Sequence, residues 1–157
     1  MHWAAWLPVF ALWVGIGSWP ALADTEDIEA SGLREIAVVQ AERGDVAGAK
    51  KTIWLIDDKW SQMLGLRDIA MIQAEHKDLA GAKKTIWLMG DKWTEALALR
   101  DLAVIQAEQR DIAGAKKTVW LMDNKSAAAS ALREIAAIQA ARGDVAGAKK
   151  TVWLAKP

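Results

Sequence analysis

Four arginines stand at equal spacing, Arg34, Arg67, Arg100 and Arg133, and each is followed by an acid, Glu35, Asp68, Asp101 or Glu134. A guanidinium offers two parallel donors in a planar fork, so such a column suits recognition of carboxylates on a ligand. The same residues can instead join one unit of the chain to the next through an arginine-to-acid ladder that binds nothing. The ladder is favoured, because an acid accompanies every arginine. A second column pairs Lys50 with Trp54, Lys83 with Trp87, Lys116 with Trp120 and Lys149 with Trp153, inside a string Lys-Lys-Thr-Ile/Val-Trp-Leu. A lysine one helical turn before a tryptophan can set its ammonium over the indole face. A stripe of such pairs would stack on sugar rings or seat at a membrane interface. Against that, Ile53-Trp54-Leu55-Ile56 is apolar all round, which favours tryptophans packed between units.

Other chemistry is thin. His76 is the only histidine beyond the N-terminal segment, and Arg43, Gln109 and Arg142 hold the equivalent places. Ser31 and Ser130 have no base beside them. The pair Asp57-Asp58 becomes Gly90-Asp91 and then Asp123-Asn124. A catalytic centre is a singular constellation, whereas nearly every polar residue here is a repeated one, so a non-catalytic chain without metal or cofactor is expected. Twenty basic residues balance twenty acidic ones. No basic field therefore steers the chain toward nucleic acid. Cysteine is absent, which excludes disulfides and thiolate metal sites.

The elements that must position these columns follow from one number. The string at Lys50 to Leu55 recurs as Lys83 to Leu88, Lys116 to Leu121 and Lys149 to Leu154, a period of 33 residues (83 − 50). Within the first copy, Leu33, Ile36, Ala37 and Gln40 fall at i, i+3, i+4 and i+7, which predicts an amphipathic helix over about 28–42. Gly44 then offers a left-handed helix end, and Asp45 can cap a second helix over about 46–56. Lys77 and Arg110 replace that glycine in the second and third copies, so those turns are expected to be strained or differently built. Ala49 marks a close helix approach, with Ile53 and Ile56 on its face. Two helices and two short loops use up the period and leave no room for a strand. The expectation is an all-α chain, an α-solenoid of four helix-turn-helix repeats over about 28–60, 61–93, 94–126 and 127–157.

The order of these signals resembles a tetratricopeptide repeat. The residues that carry the likeness are the large-small pair Ile36-Ala37, the Gly-Asp turn, the small residues Ala49, Ala82, Ala115 and Ala148, and a bulky residue a turn later, Ile53. The chain departs from that family in its period of 33 rather than 34, in the lack of a proline after the second helix, and in Gln40, where an aromatic is usual. The resemblance implies a superhelix whose concave face binds a protein or peptide, with Arg34, Arg67, Arg100 and Arg133 pointing into the groove above Val38, Met71 and Val104. The family's clamp for peptide C-termini needs an asparagine where Val38, Met71, Val104 or Ala137 stands, so an apolar floor with charged edges is expected instead.

Residues 1–23 carry no Lys, Arg, Asp or Glu and end in Ala21-Leu22-Ala23. That pattern reads as a secretory signal peptide cut after Ala23, with an uncleaved single-span anchor as the alternative. The repeats at 24–157 are then exported, periplasmic or secreted, and touch a membrane only through the first segment if it stays attached. The last hairpin is expected to leave Ile138, Val145 and Val152 uncovered, which invites self-association.

Overall fold

In the computed structural model the described residues are 21–155, with side chains from Ile28 onward. The expected signal segment lies outside them, apart from Ala21–Ala23 at the start of the first helix. Every described element is helical: α1 (Ala21–Glu42), α2 (Val46–Ile53), α3 (Lys59–Glu75), α4 (Leu79–Trp87), α5 (Lys92–Glu108), α6 (Ile112–Val119), α7 (Lys125–Ala141) and α8 (Val145–Leu154). Long and short helices alternate, and each long one packs on the short one that follows. Each long helix also packs on the next long helix, and each short helix on the long helix after it, while the short helices do not touch one another.

The turn inside each hairpin satisfies both helix ends with one aspartate. The Gly44 amide donates to Ala41 O at 2.9 Å and the Asp45 amide to Gln40 O at 2.8 Å, the paired bonds that close a helix at a left-handed residue. The Asp45 carboxylate then accepts from the Gly48 amide at 2.8 Å and caps α2. The same bonds form at Lys77-Asp78, Arg110-Asp111 and Gly143-Asp144. Lys77 and Arg110 are thus held at φ 67° and 71°, close to the Gly44 and Gly143 values of 89° and 88°. Of the two expectations, strain rather than a different build is correct: a side chain there costs about 1–2 kcal/mol, and the turn is nonetheless built as at Gly44 and Gly143.

A polar lock crosses each hairpin, partly buried in the first and buried in the other three. Thr52, Thr85, Thr118 and Thr151 donate through Oγ1 to Oε1 of Gln40, Gln73, Gln106 and Gln139, at 2.5–2.7 Å. In the last three hairpins the same glutamine donates through Nε2 to Oδ2 of the capping Asp78, Asp111 or Asp144. The third residue of each short helix must be glycine because of this. A Cβ on Gly81 would lie 1.9 Å from Asp78 Oδ2 and 2.1 Å from Gln73 Nε2. Gln40 and its equivalents therefore fill their place with hydrogen bonds rather than apolar area.

Around the lock lies a core of Ala49, Ile53, Leu66, Ile69, Ala82, Ile86, Leu102, Ala115, Val119 and Ile135, all essentially inaccessible. Each large one contributes about 1.5–3 kcal/mol by burial. Ala49, Ala82, Ala115 and Ala148 are all buried. The short helices end at or near Ile53 rather than Ile56, and Ile56 tucks in from a turn, its amide bonded to Ile53 O at 3.1 Å. Of the three residues expected bare in the last hairpin, Val145 and Val152 are exposed, but Ile138 packs against the core because it faces the third hairpin.

Two measurements test this account. Lys77→Gly should raise stability by about 1 kcal/mol in urea melts, and Gly44→Ala should lower it by a similar amount. Backbone amides of Ser61, Gly81, Thr94 and Gly147 hold the carboxyls of Asp58, Asp78, Asp91 and Asp144 below their ordinary 3.8. A depressed carboxyl stabilises fully above its unfolded value and ceases to as pH falls through the folded one. Thermal melts from pH 7 to 2 should therefore show stability falling below about pH 4. Asp58→Asn, which copies Asn124 at the start of α7, should flatten part of that fall and leave the neutral-pH melt nearly unchanged.

Candidate functional site

The arginine column lies along the long helices, and its geometry is the ladder. Arg34 Nη2 reaches Asp68 Oδ2 at 2.7 Å, and Arg67 Nε reaches Asp101 Oδ2 at 2.8 Å, its Nη2 sharing the same oxygen. Arg100 Nε approaches Glu134 Oε1 at 3.7 Å while its Nη2 holds Asp101 Oδ1 at 3.1 Å. Arg34 and Arg67 thus bind the acid of the following hairpin, 34 residues on, and Arg100 lies within ion-pair distance of its equivalent. The pairs are only partly buried, so each contributes about 0–1 kcal/mol and chiefly sets register. Arg133 is exposed at the end of the column. Val38, Met71 and Val104 are half-buried, and Met71 packs against the core.

A cleft of about 240 Å³ opens between α3 and α5. Trp60 and Trp93 stack across it with ring centroids 6.3 Å apart and planes inclined at 26°. Met63, Leu64 and Leu97 line it, and Arg67 and Arg100 stand on its edge. Both indoles occupy the first turns of α3 and α5. There Trp60, Leu64 and Arg67 form one stripe at i, i+4 and i+7, and Trp93, Leu97 and Arg100 form another. The equivalent places in α7 are Ser126, Ser130 and Arg133, so the cleft belongs to the middle two hairpins alone. Sequence reasoning missed this pairing. The signal was present in the two stripes, but only the packing of α3 on α5 sets the rings face to face.

The packing reading of the repeated tryptophans is overturned. Trp54, Trp87, Trp120 and Trp153 are 49–67% exposed, and Leu55, Leu88, Leu121 and Leu154 are 44–68% exposed. The helix α2 is one turn shorter than expected, so Ile53 and Ile56 turn inward across a bend while Trp54 and Leu55 face out, whereas Trp87 and Trp153 lie on the exposed side of the last turns of α4 and α8. The lysines do not accompany them: among the described residues none lies over the indole of Trp54, Trp87 or Trp120. Lys50 is instead drawn into the interface, where burial pushes its ammonium below the ordinary value and Asp78 of the next hairpin partly restores it. Lys83 and Lys116 are half-buried likewise, and Lys149, on the last hairpin, is exposed.

Remaining groups are scattered. His76 ends α3 on the surface, and Ser130 Oγ donates to Glu134 at 3.3 Å. Among the described residues no cluster of His, Asp or Glu has metal-binding geometry, and no helix is long and apolar enough to cross a membrane.

Because the ladder pairs are half-solvated, Arg34→Ala should cost less than about 1 kcal/mol, and its coupling to Asp68 in a double-mutant cycle should shrink in 1 M salt. A cost of several kcal/mol, insensitive to salt, would contradict this picture. Comparison with protein-family models, curated proteins and solved structures finds no match to this chain, so function must be argued from these surfaces themselves.

Proposed function

We propose that the chain is an exported, non-catalytic tetratricopeptide-like α-solenoid that binds a protein or peptide segment on the face formed by its long helices. Contacts that run from each long helix to the next, with the short helices apart, favour a superhelix with the long helices inside. The observation that carries the binding assignment is the Trp60–Trp93 cleft. Stacked indoles over a Met-Leu floor offer a large apolar surface with little side-chain freedom to lose. Arg67 and Arg100 at its edge share acids but retain exposed donor edges. That combination suits a segment with a bulky apolar side chain and a carboxylate nearby.

Immobilised chain should recover a partner from the exported protein fraction, and Trp60→Ser with Trp93→Ser, which copies Ser126, should reduce recovery at least tenfold. Reversal of Arg67 and Arg100 to glutamate should also weaken it. Recovery unchanged by both changes would remove the cleft from the function.

The exposure of the four repeated Trp-Leu pairs favours a second reading, attachment of the opposite face to an envelope glycan or lipid surface. Tryptophan emission, titrated with vesicles or with glycans, separates the two. A blue shift lost on changing Trp54, Trp87 and Trp120, but kept in the Trp60/Trp93 variant, supports surface attachment; no shift eliminates it.

A further inference from the structure

Joints between hairpins inside the chain follow one rule, and the two ends of the array hold the unmatched halves of it. Across an internal joint an arginine reaches the acid 34 residues on, as Arg34 reaches Asp68. The residues that follow α5 and α7 reach back to cap the carbonyls of the preceding long helix. Gln109 Nε2 donates to Ala74 O at 2.9 Å, and Arg142 donates to Ala107 O and Glu108 O at 2.6 and 2.7 Å. Apolar residues close the joint from both sides: Ile69, Leu102 and Ile135 from the following hairpin, and Ala74, Ala107, Ile86 and Val119 from the preceding one, all inaccessible.

On the first hairpin the same columns are bare. Ile36, equivalent to Ile69, is 53% exposed, Val39 is 42% exposed, and Glu35 and Arg43 are exposed beside them. On the last hairpin the opposite half is bare. Ala140, equivalent to Ala107, is exposed, and Val152, equivalent to Val119, is 44% exposed. A groove of about 460 Å³ runs along α7 and α8 there, with Arg133 and Lys149 among its lining residues.

We infer that the chain associates head to tail with further copies of itself, the last hairpin of one copy receiving the first hairpin of the next in the register of the internal joints. In that register Glu35 of the second copy meets Arg133 of the first. Arg43 reaches the carbonyls of Ala140 and Ala141, and Asp45 lies near Lys149 as Asp78 lies near Lys50. Ile36 and Val39 close over Ala140 and Val152. Charge complementarity selects this occupant. Two last hairpins placed face to face would set Arg133 and Lys149 against their own kind, which costs affinity. The contact joins two different faces, so it propagates unless rotation closes a ring. It goes beyond the cleft between α3 and α5, which lies away from both end faces.

Sedimentation of the full chain decides it, with circular dichroism to confirm that each variant is helical. Wild type should grow in mass with concentration. Ile36→Asp and Val152→Asp, both at exposed positions, should each sediment as a single chain, and their equimolar mixture should give a two-chain particle that grows no further. Either variant forming a two-chain particle alone would overturn the head-to-tail arrangement, as would a mixture that stays single-chain or a wild type that stays monomeric. Glu35→Arg or Arg133→Glu alone should weaken wild-type association about fivefold at low salt, and the two together should restore it. Failure of the double change to restore association would overturn the register.

Discussion

The hydrogen-bonded lock of threonine, glutamine and aspartate is what the rest of the molecule depends on. Gln73 accepts from Thr85 on the short helix and donates to the aspartate that begins that helix. One side chain thereby fixes the angle of the hairpin and the start of its second helix. Buried polar groups are costly unless all of them are satisfied, so the lock tolerates one arrangement and few substitutions. It accounts for two features of each short helix at once: glycine where a Cβ would strike the aspartate, and threonine rather than valine in the core. Lys77 and Arg110 adopt the same left-handed turn as Gly44 and Gly143, although their side chains resist it.

With the hairpin angle set, the joints between hairpins follow from small, repeated terms. Ion pairs half in water contribute little energy each, but their column admits one register. Apolar columns supply the larger part of the attraction between hairpins. A joint built this way has a donor face and an acceptor face.

Function has to reside where the repeats differ or where they leave apolar surface in water. The arginine column, the first feature to suggest recognition, is largely engaged in holding register. The cleft between α3 and α5 is the place where two hairpins depart from their neighbours, through Trp60 and Trp93 against Ser126. The Trp-Leu pairs are repeated in every hairpin yet lie largely in water, outside the core.

Amino-acid order alone determined the helices, their pairing into hairpins and the capping aspartates, because those rest on contacts a few residues apart whose period and cap chemistry can be read along the chain. It also raised the arginine-to-acid ladder as the favoured reading of that column. Tertiary structure decided which way each remaining side chain points. Ile53-Trp54-Leu55-Ile56 looks uniformly buried in a continuous helix, but the helix ends at Ile53 and the following bend sends Trp54 and Leu55 outward. Lys50 is a turn from Trp54 in sequence, yet it is half-buried and does not lie over the indole. Trp60 and Trp93 are 33 residues apart, and only the packing of α3 on α5 makes them one surface. Local hydrogen bonding is written in spacing; the choice between core, joint and solvent depends on what the neighbouring hairpin brings, and no single repeat contains that information.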